Sequence, residues 1–137
     1  MNSIKQIEQE IIEEMNIYED PMDRYEYIIE QGKALLPLAP EFMVDDFLVR
    51  GCQSKVWLRA IKDGEVLLLR ADSNTAITKG IVALLLRVWD GRTPQEILDS
   101  PLSFIDQTKL REHLSSQRAN GLSAMILKIR NYANALL

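Results

Sequence analysis

The sequence predicts an α+β fold, a small antiparallel β-sheet packed by helices from both ends of the chain. Three observations carry that expectation. Apolar residues recur at helical spacing near both termini: Ile4, Ile7, Ile11, Ile12 and Met15 at one, Leu122, Met125, Ile126, Ile129 and Tyr132 at the other. Between them lie two short runs suited to strands, Lys55-Val56-Trp57-Leu58-Arg59-Ala60-Ile61 and Glu65-Val66-Leu67-Leu68-Leu69-Arg70. Asp63-Gly64 separates the runs and marks a hairpin turn.

The elements follow in order. The first helix sets Glu8, Glu10, Glu13 and Glu14 on the face opposite its apolar residues, and Asp20-Pro21 breaks it. A second helix begins near Met22 or Asp23, turns Tyr25, Tyr27, Ile28 and Ile29 fully or partly inward, and ends before Pro37. Residues 37 to 50 read as a surface connection. In the first strand Val56, Leu58 and Ala60 share one face, and Trp57 is assigned to the core. The second strand is apolar on both faces, which implies cover on both sides. Asp72-Ser73-Asn74 offers an N-cap cluster for a leucine-rich helix from Thr75 to Val88. Gly80 inside that helix implies close approach of another backbone, because a mid-helix glycine is destabilising by up to ~1 kcal/mol relative to alanine. Thr93-Pro94-Gln95-Glu96 is a capping box for a short helix ending near Ser100-Pro101. Another short helix is expected from Asp106 to His113, and Ser115-Ser116-Gln117-Arg118 opens the last one.

Composition narrows the function classes. The chain has 137 residues, 47% hydrophobic and 26% charged, and residues 1–137 read as one domain able to bury a core without disulfides or metal. A net charge of −4 gives no global electrostatic case for nucleic acid. The acidic N-terminal segment does not read as a signal peptide, and Ile81-Val82-Ala83-Leu84-Leu85-Leu86 is too short to span a membrane. With one cysteine, these features fit a cytoplasmic protein.

Cys52 concentrates the chemistry. A lone thiol closes no internal disulfide and is too little for a structural zinc site. It is a buried apolar residue, an intermolecular partner or a nucleophile. Arg50 and Lys55 bracket it with positive charge, which would favour the thiolate if they lie near the sulfur. One histidine, His113, opens a rival pairing, a Cys52/His113 hydrolase with Asp72 or Asp106 orienting the base. No hydrolase signature surrounds either residue. A non-catalytic interaction domain with an incidental cysteine is a further alternative.

Four separated segments carry a resemblance. Gly51-Cys52-Gln53-Ser54-Lys55-Val56-Trp57 resembles the G-C-x-S-x-V-W signature of the SufE family, sulfur acceptors that partner cysteine desulfurases in iron–sulfur cluster assembly. The resemblance continues through Ala71-Asp72-Ser73-Asn74-Thr75-Ala76-Ile77-Thr78-Lys79-Gly80 and Thr93-Pro94-Gln95-Glu96-Ile97. It ends at Arg118-Ala119-Asn120-Gly121-Leu122-Ser123-Ala124-Met125, similar to the family's R-x-x-G-L-x-x-M helix. It covers the chain from about Tyr25 to the C-terminus. Phe47 stands where many members carry asparagine.

The resemblance implies a SufE/NifU-like fold and a protein that is not itself an enzyme. Cys52 would take persulfide sulfur from a SufS- or CsdA-like cysteine desulfurase, stimulate that enzyme, and pass the sulfur to a SufBCD-like cluster scaffold. Pyridoxal phosphate would belong to the desulfurase, with no cofactor or metal on this chain. Gly51, Gln53, Ser54, Asp72 and Arg118 would support the cysteine loop. Partners would not include nucleic acid or membrane, and the chain would be a monomer or weak homodimer. Arg118 in the first turn of a helix opposes the macrodipole, so some other interaction is expected to hold it.

Overall fold

Local capping sets the first helices. This computed structural model describes residues 2–137. Helix α1 (Ile4–Asn16) starts at a reciprocal box in which Ser3 Oγ accepts from Gln6 N–H and the Gln6 side chain accepts from Ser3 N–H. Ile11, Ile12 and Met15 are buried, and Ile4 and Ile7 pack at the core's edge. The acidic face departs from a simple solvated stripe. Glu8 is buried and accepts from Ser103 Oγ and Phe104 N–H, capping α5 (Ser103–Gln107) from a distant part of the chain. Glu10 and Glu14 pair with Arg87 of α3 (Ala76–Trp89).

Helix α2 (Pro21–Lys33) begins at Pro21, slightly before the predicted Met22 or Asp23, with Asp20 accepting from Met22 N–H. It packs tightly on α3. A Cβ on Gly80 would run into the Ile28 carbonyl, 2.6 Å from its carbon, and one on Gly32 would lie 2.9 Å from Gly80 N. The backbone approach expected at Gly80 is therefore present. α3 is the hub of the core. It is buried from Ile77 to Trp89 apart from Lys79 and Arg87, and meets β2, α1, α2 and α6.

The connection from 37 to 50 crosses the surface as expected, tightened by single 3₁₀ turns at Pro40–Phe42 and Asp45–Phe47. Leu38 and Val49 pin it inward, and Val49 N–H donates to Val56 O. Strands β1 (Val56–Asp63) and β2 (Val66–Ser73) pair antiparallel from Val56↔Ser73 to Asp63↔Val66. Gly64, first of the two turn residues, takes φ +63°. Val56, Leu58, Leu67, Leu69 and Ala71 form the buried face. Trp57 is half-buried rather than core, and the second face of β2 (Val66, Leu68, Arg70) is only partly covered. Because β2 reaches Ser73, Asp72 and Ser73 belong to the sheet and do not cap α3. The N-cap is Thr75, whose side chain caps nothing.

Helix α4 (Pro94–Asp99) carries the predicted Thr93/Glu96 capping box. The helix expected over Asp106 to His113 is instead α5 followed by a 3₁₀ turn at Leu110–His113, divided where Lys109 takes φ +56°. Helix α6 (Ser116–Ala135) starts with Ser115 Oγ accepting from Arg118 N–H. Leu122, Met125, Ile126 and Ile129 are buried, and Tyr132 Oη donates to Leu58 O, tying α6 to β1. Among the described residues no helix is long and apolar enough to cross a membrane.

Candidate functional site

Cys52 occupies the bend that leads into β1, and its half-buried side chain faces the N-terminal halves of two helices. The cleft around it is lined by Gln53 and Ser54, by Thr78 and Ile81 of α3, and by Gln117, Arg118, Gly121 and Met125 of α6. Its free volume is about 10 Å³, roughly one water-sized atom. The thiol donates a hydrogen bond to Gly121 O at 3.5 Å. Burial pushes its pKa above the ordinary thiol range, so the inward-facing sulfur is protonated near neutral pH. The thiolate-favouring bracket of Arg50 and Lys55 is not what surrounds it. Both are exposed and neither lines the cleft.

Arg118 is the charged side chain that does line it. Among the described residues it forms no ion pair, and its Nε is buried without a hydrogen-bond partner. The interaction expected to offset its position at a helix start is not supplied among the described residues. Its guanidinium therefore brings positive charge to the cleft that holds the sulfur, at the helix end where the backbone is also partially positive.

The two sides of the cysteine bend are held differently. After it, Ser54 Oγ accepts from Thr75 Oγ1 at 3.0 Å and Thr78 Oγ1 at 3.4 Å. Lys55 N–H donates to Asn74 Oδ1 at 3.0 Å, and Lys55 O accepts from Ser73 Oγ at 2.8 Å and Asn74 N–H at 3.2 Å. Before it, Gly51 takes φ +94°, a conformation strained for other residues. Among side-chain hydrogen bonds of the described residues, the bond from Cys52 to Gly121 O alone holds the stretch Arg50 to Gln53. The bend thus has one stapled end and a lightly held tip.

The structure brings Cys52, Gln53, Ser54 and Arg118 into one cleft, with Gly51 beside Ala124. Asp72 lies outside it. Its Oδ1 accepts from Ser73 N–H at 2.8 Å and sits 3.3 Å from Lys79 Nζ, fixing the β2–α3 corner to which Ser54 and Lys55 are tied. His113 is not brought to Cys52. Its Nε2 lies 3.2 Å from Arg24 Nη1, which can only donate, and neither His113, Asp72 nor Asp106 lines the cysteine cleft. The nucleophile–base pair of a hydrolase is not assembled.

A sequence profile described as SufE, an Fe-S metabolism associated domain, matches residues 9–133. The chain belongs to the SufE family. That membership places it in iron–sulfur metabolism. It is similar to an uncharacterized SufE-like protein of Rhizobium etli, 38% identical over 90% of this chain and 87% of the relative. A SufE-like protein of Rhizobium meliloti is 37% identical over 93% and 95% of the two chains, and one of Synechocystis is 38% identical over 81% and 70%. The solution structure of a hypothetical protein from Thermus thermophilus shares the fold at a TM-score of 0.78, with 20% identity and 95% of each chain covered.

Reading the sequence missed several residues of this SufE-family cleft. Thr75 and Thr78 look like helix-start residues, but their hydroxyls reach across to Ser54. Gly121 lies within a quoted motif without a reason for being glycine. Like Gly80, it is a mid-helix glycine, and that alone marks a close approach.

Proposed function

We propose that Cys52 is a sulfur-carrying nucleophile loaded by a cysteine desulfurase. The desulfurase, SufS- or CsdA-like and carrying pyridoxal phosphate, would present a persulfide on its own cysteine. Cys52 gives up its proton, and its thiolate attacks the terminal sulfur. The new S–S bond forms as the old one breaks, leaving Cys52–S–SH and the desulfurase thiolate, with no net oxidation. The loaded chain then delivers the sulfur to a SufBCD-like cluster scaffold in the cytoplasm. In this reading the chain is a carrier that speeds the desulfurase by removing its product, and it needs no cofactor of its own.

One observation carries the reading: a half-buried thiol at the tip of a lightly held bend shares its cleft with Arg118 of α6, which forms no ion pair among the described residues. The inward pose protects a reactive sulfur but protonates it. Attack on a partner therefore requires the tip to swing outward, with Gly51 as the flexible side and Ser54 as the fixed one. Arg118 is suited to stabilise sulfur anion, whether thiolate or persulfide. Gln53 and Ser54 complete the loop, and Asp72 braces the corner that anchors it.

Intact-mass measurement after incubation with candidate desulfurases and free cysteine tests this. The expected result is a gain of one sulfur atom, removed by reductant and absent in Cys52→Ser. No gain with any desulfurase overturns the proposal. Cys52→Ser that still stimulates a desulfurase would instead assign the chain a purely binding role.

A further inference from the structure

We infer that Gly121 is a positioning residue, whose missing side chain and carbonyl oxygen form the seat that keeps the Cys52 thiol turned inward. Its functional meaning rests on the reading of Cys52 as a sulfur acceptor; the seat itself does not.

Gly121 lies in the interior of α6, where glycine is among the least favourable choices, and its φ is not positive. Backbone freedom is therefore not why it is there. Space is. The three nearest atoms to a Cβ built at Gly121 all belong to Cys52: Sγ at 3.3 Å, Cβ at 3.8 Å and Cα at 3.9 Å. The same residue supplies the carbonyl that accepts the thiol hydrogen bond. Absence of a methyl and presence of an acceptor thus act on one sulfur. The surrounding free volume, about 10 Å³, leaves little room for an alanine methyl and the thiol together.

The tip is the part that yields. Among the described residues it is held by no other side-chain hydrogen bond, whereas α6 is anchored by Leu122, Met125 and Ile129. An alanine at 121 would move the sulfur and leave the helix in place. The displaced thiol has a longer, weaker hydrogen bond and less burial, becomes thiolate more readily, and meets solvent more often. Arg118 of α6 is the charged group lining the cleft; the groups from α3 (Thr78, Ile81) and the loop (Gln53, Ser54) are neutral, and burial is what raises the thiol's pKa. Gly121 therefore sets a balance between ready attack and shelter of the loaded sulfur.

The test compares Gly121→Ala with Asn120→Ala, an exposed neighbour whose replacement also favours helix but does not face the loop. Alkylation of the free protein by iodoacetamide is followed against pH, with melting temperature as the fold control. Gly121→Ala is expected to react up to about tenfold faster at neutral pH, its profile moved to lower pH. Asn120→Ala should react like the unmodified chain. After loading, the Gly121→Ala persulfide should be lost to a thiol reductant faster. Unchanged rate and pH profile in a folded Gly121→Ala overturn the seat, as does an equal change in Asn120→Ala. Unfolding of Gly121→Ala also overturns it, because the atoms nearest that position belong to Cys52 on the yielding tip. Faster alkylation without sulfur uptake by the unmodified chain upholds the seat and refutes the acceptor. Normal uptake with unchanged alkylation does the reverse.

Discussion

Gly80 in α3 and Gly121 in α6 both occupy helix interiors, and both are glycine because something comes too near for a side chain. What comes near differs. At Gly80 it is the backbone of α2: a Cβ would meet the Ile28 carbonyl, its carbon 2.6 Å away. At Gly121 it is the sulfur of a loop residue at 3.3 Å. Backbone held in two packed helices cannot step aside, whereas the end of a side chain on a lightly held bend can. The first glycine is therefore a condition of the fold, and the second a condition of the site.

The largest effect tests the first half of that contrast. Gly80→Ala should lower unfolding free energy by about 2–3 kcal/mol in urea titration, since α2 and α3 must separate and the gain in helix propensity offsets only part of the strain. A variant as stable as the unmodified chain would show that the crossing can relax. Arg87→Met sharpens the same region. Arg87 joins α3 to Glu14, Glu10 and Gln31 at a partly exposed position, so solvent screening holds the expected loss to about 1 kcal/mol. Its hydrogen bond holds the Glu14 carboxyl below the ordinary carboxylate range despite partial burial. A folded pKa below the unfolded value near ~4.3 means the contribution is present above that pH and lost as pH falls through the folded pKa. Stability measured from pH 6 down to pH 3 should fall less steeply in Arg87→Met than in the unmodified chain. Parallel slopes would remove Glu14–Arg87 as the source.

Much of the fold was legible because the signals are local. Ser115, Thr93-Pro94 and Asp63-Gly64 act within a few residues, and their elements appear where expected. The misses are long-range. Glu8 reads as a solvated acid until Phe104 N–H, far along the chain, needs an acceptor. Asp72-Ser73-Asn74 reads as a cap because the rest of the sheet, which claims Asp72 and Ser73, is invisible locally. For the site, Cys52 and its neighbours were legible from their motif. The contacts of Thr75, Thr78 and Gly121 with that loop are tertiary, and nothing in their own neighbourhoods distinguishes them from ordinary helix residues except the glycine.

The second half of the contrast predicts much smaller stability changes. Gly121→Ala should stay within about 0.5 kcal/mol of the unmodified chain, with better helix propensity offsetting the tight sulfur contact. A loss comparable to that of Gly80→Ala would erase the distinction between the two glycines.

The smallest effect is expected at the stapled end of the bend. Thr75→Val keeps the shape of the residue and removes the hydroxyl that donates to Ser54 Oγ at 3.0 Å; Thr78 Oγ1, at 3.4 Å, remains as the weaker donor. Thr75 caps nothing with its side chain, so α3 should not register the change. One partly exposed hydrogen bond is lost, and the change in stability should be below about 1 kcal/mol. The consequence falls on the loop. With Ser54 less firmly held the tip gains freedom, and alkylation of Cys52 should rise about twofold, well short of the effect at Gly121, because that rise corresponds to only about 0.4 kcal/mol. If Thr75→Val instead matches Gly121→Ala, the staple rather than the seat governs the sulfur, and the asymmetry between the two ends of the bend is reversed.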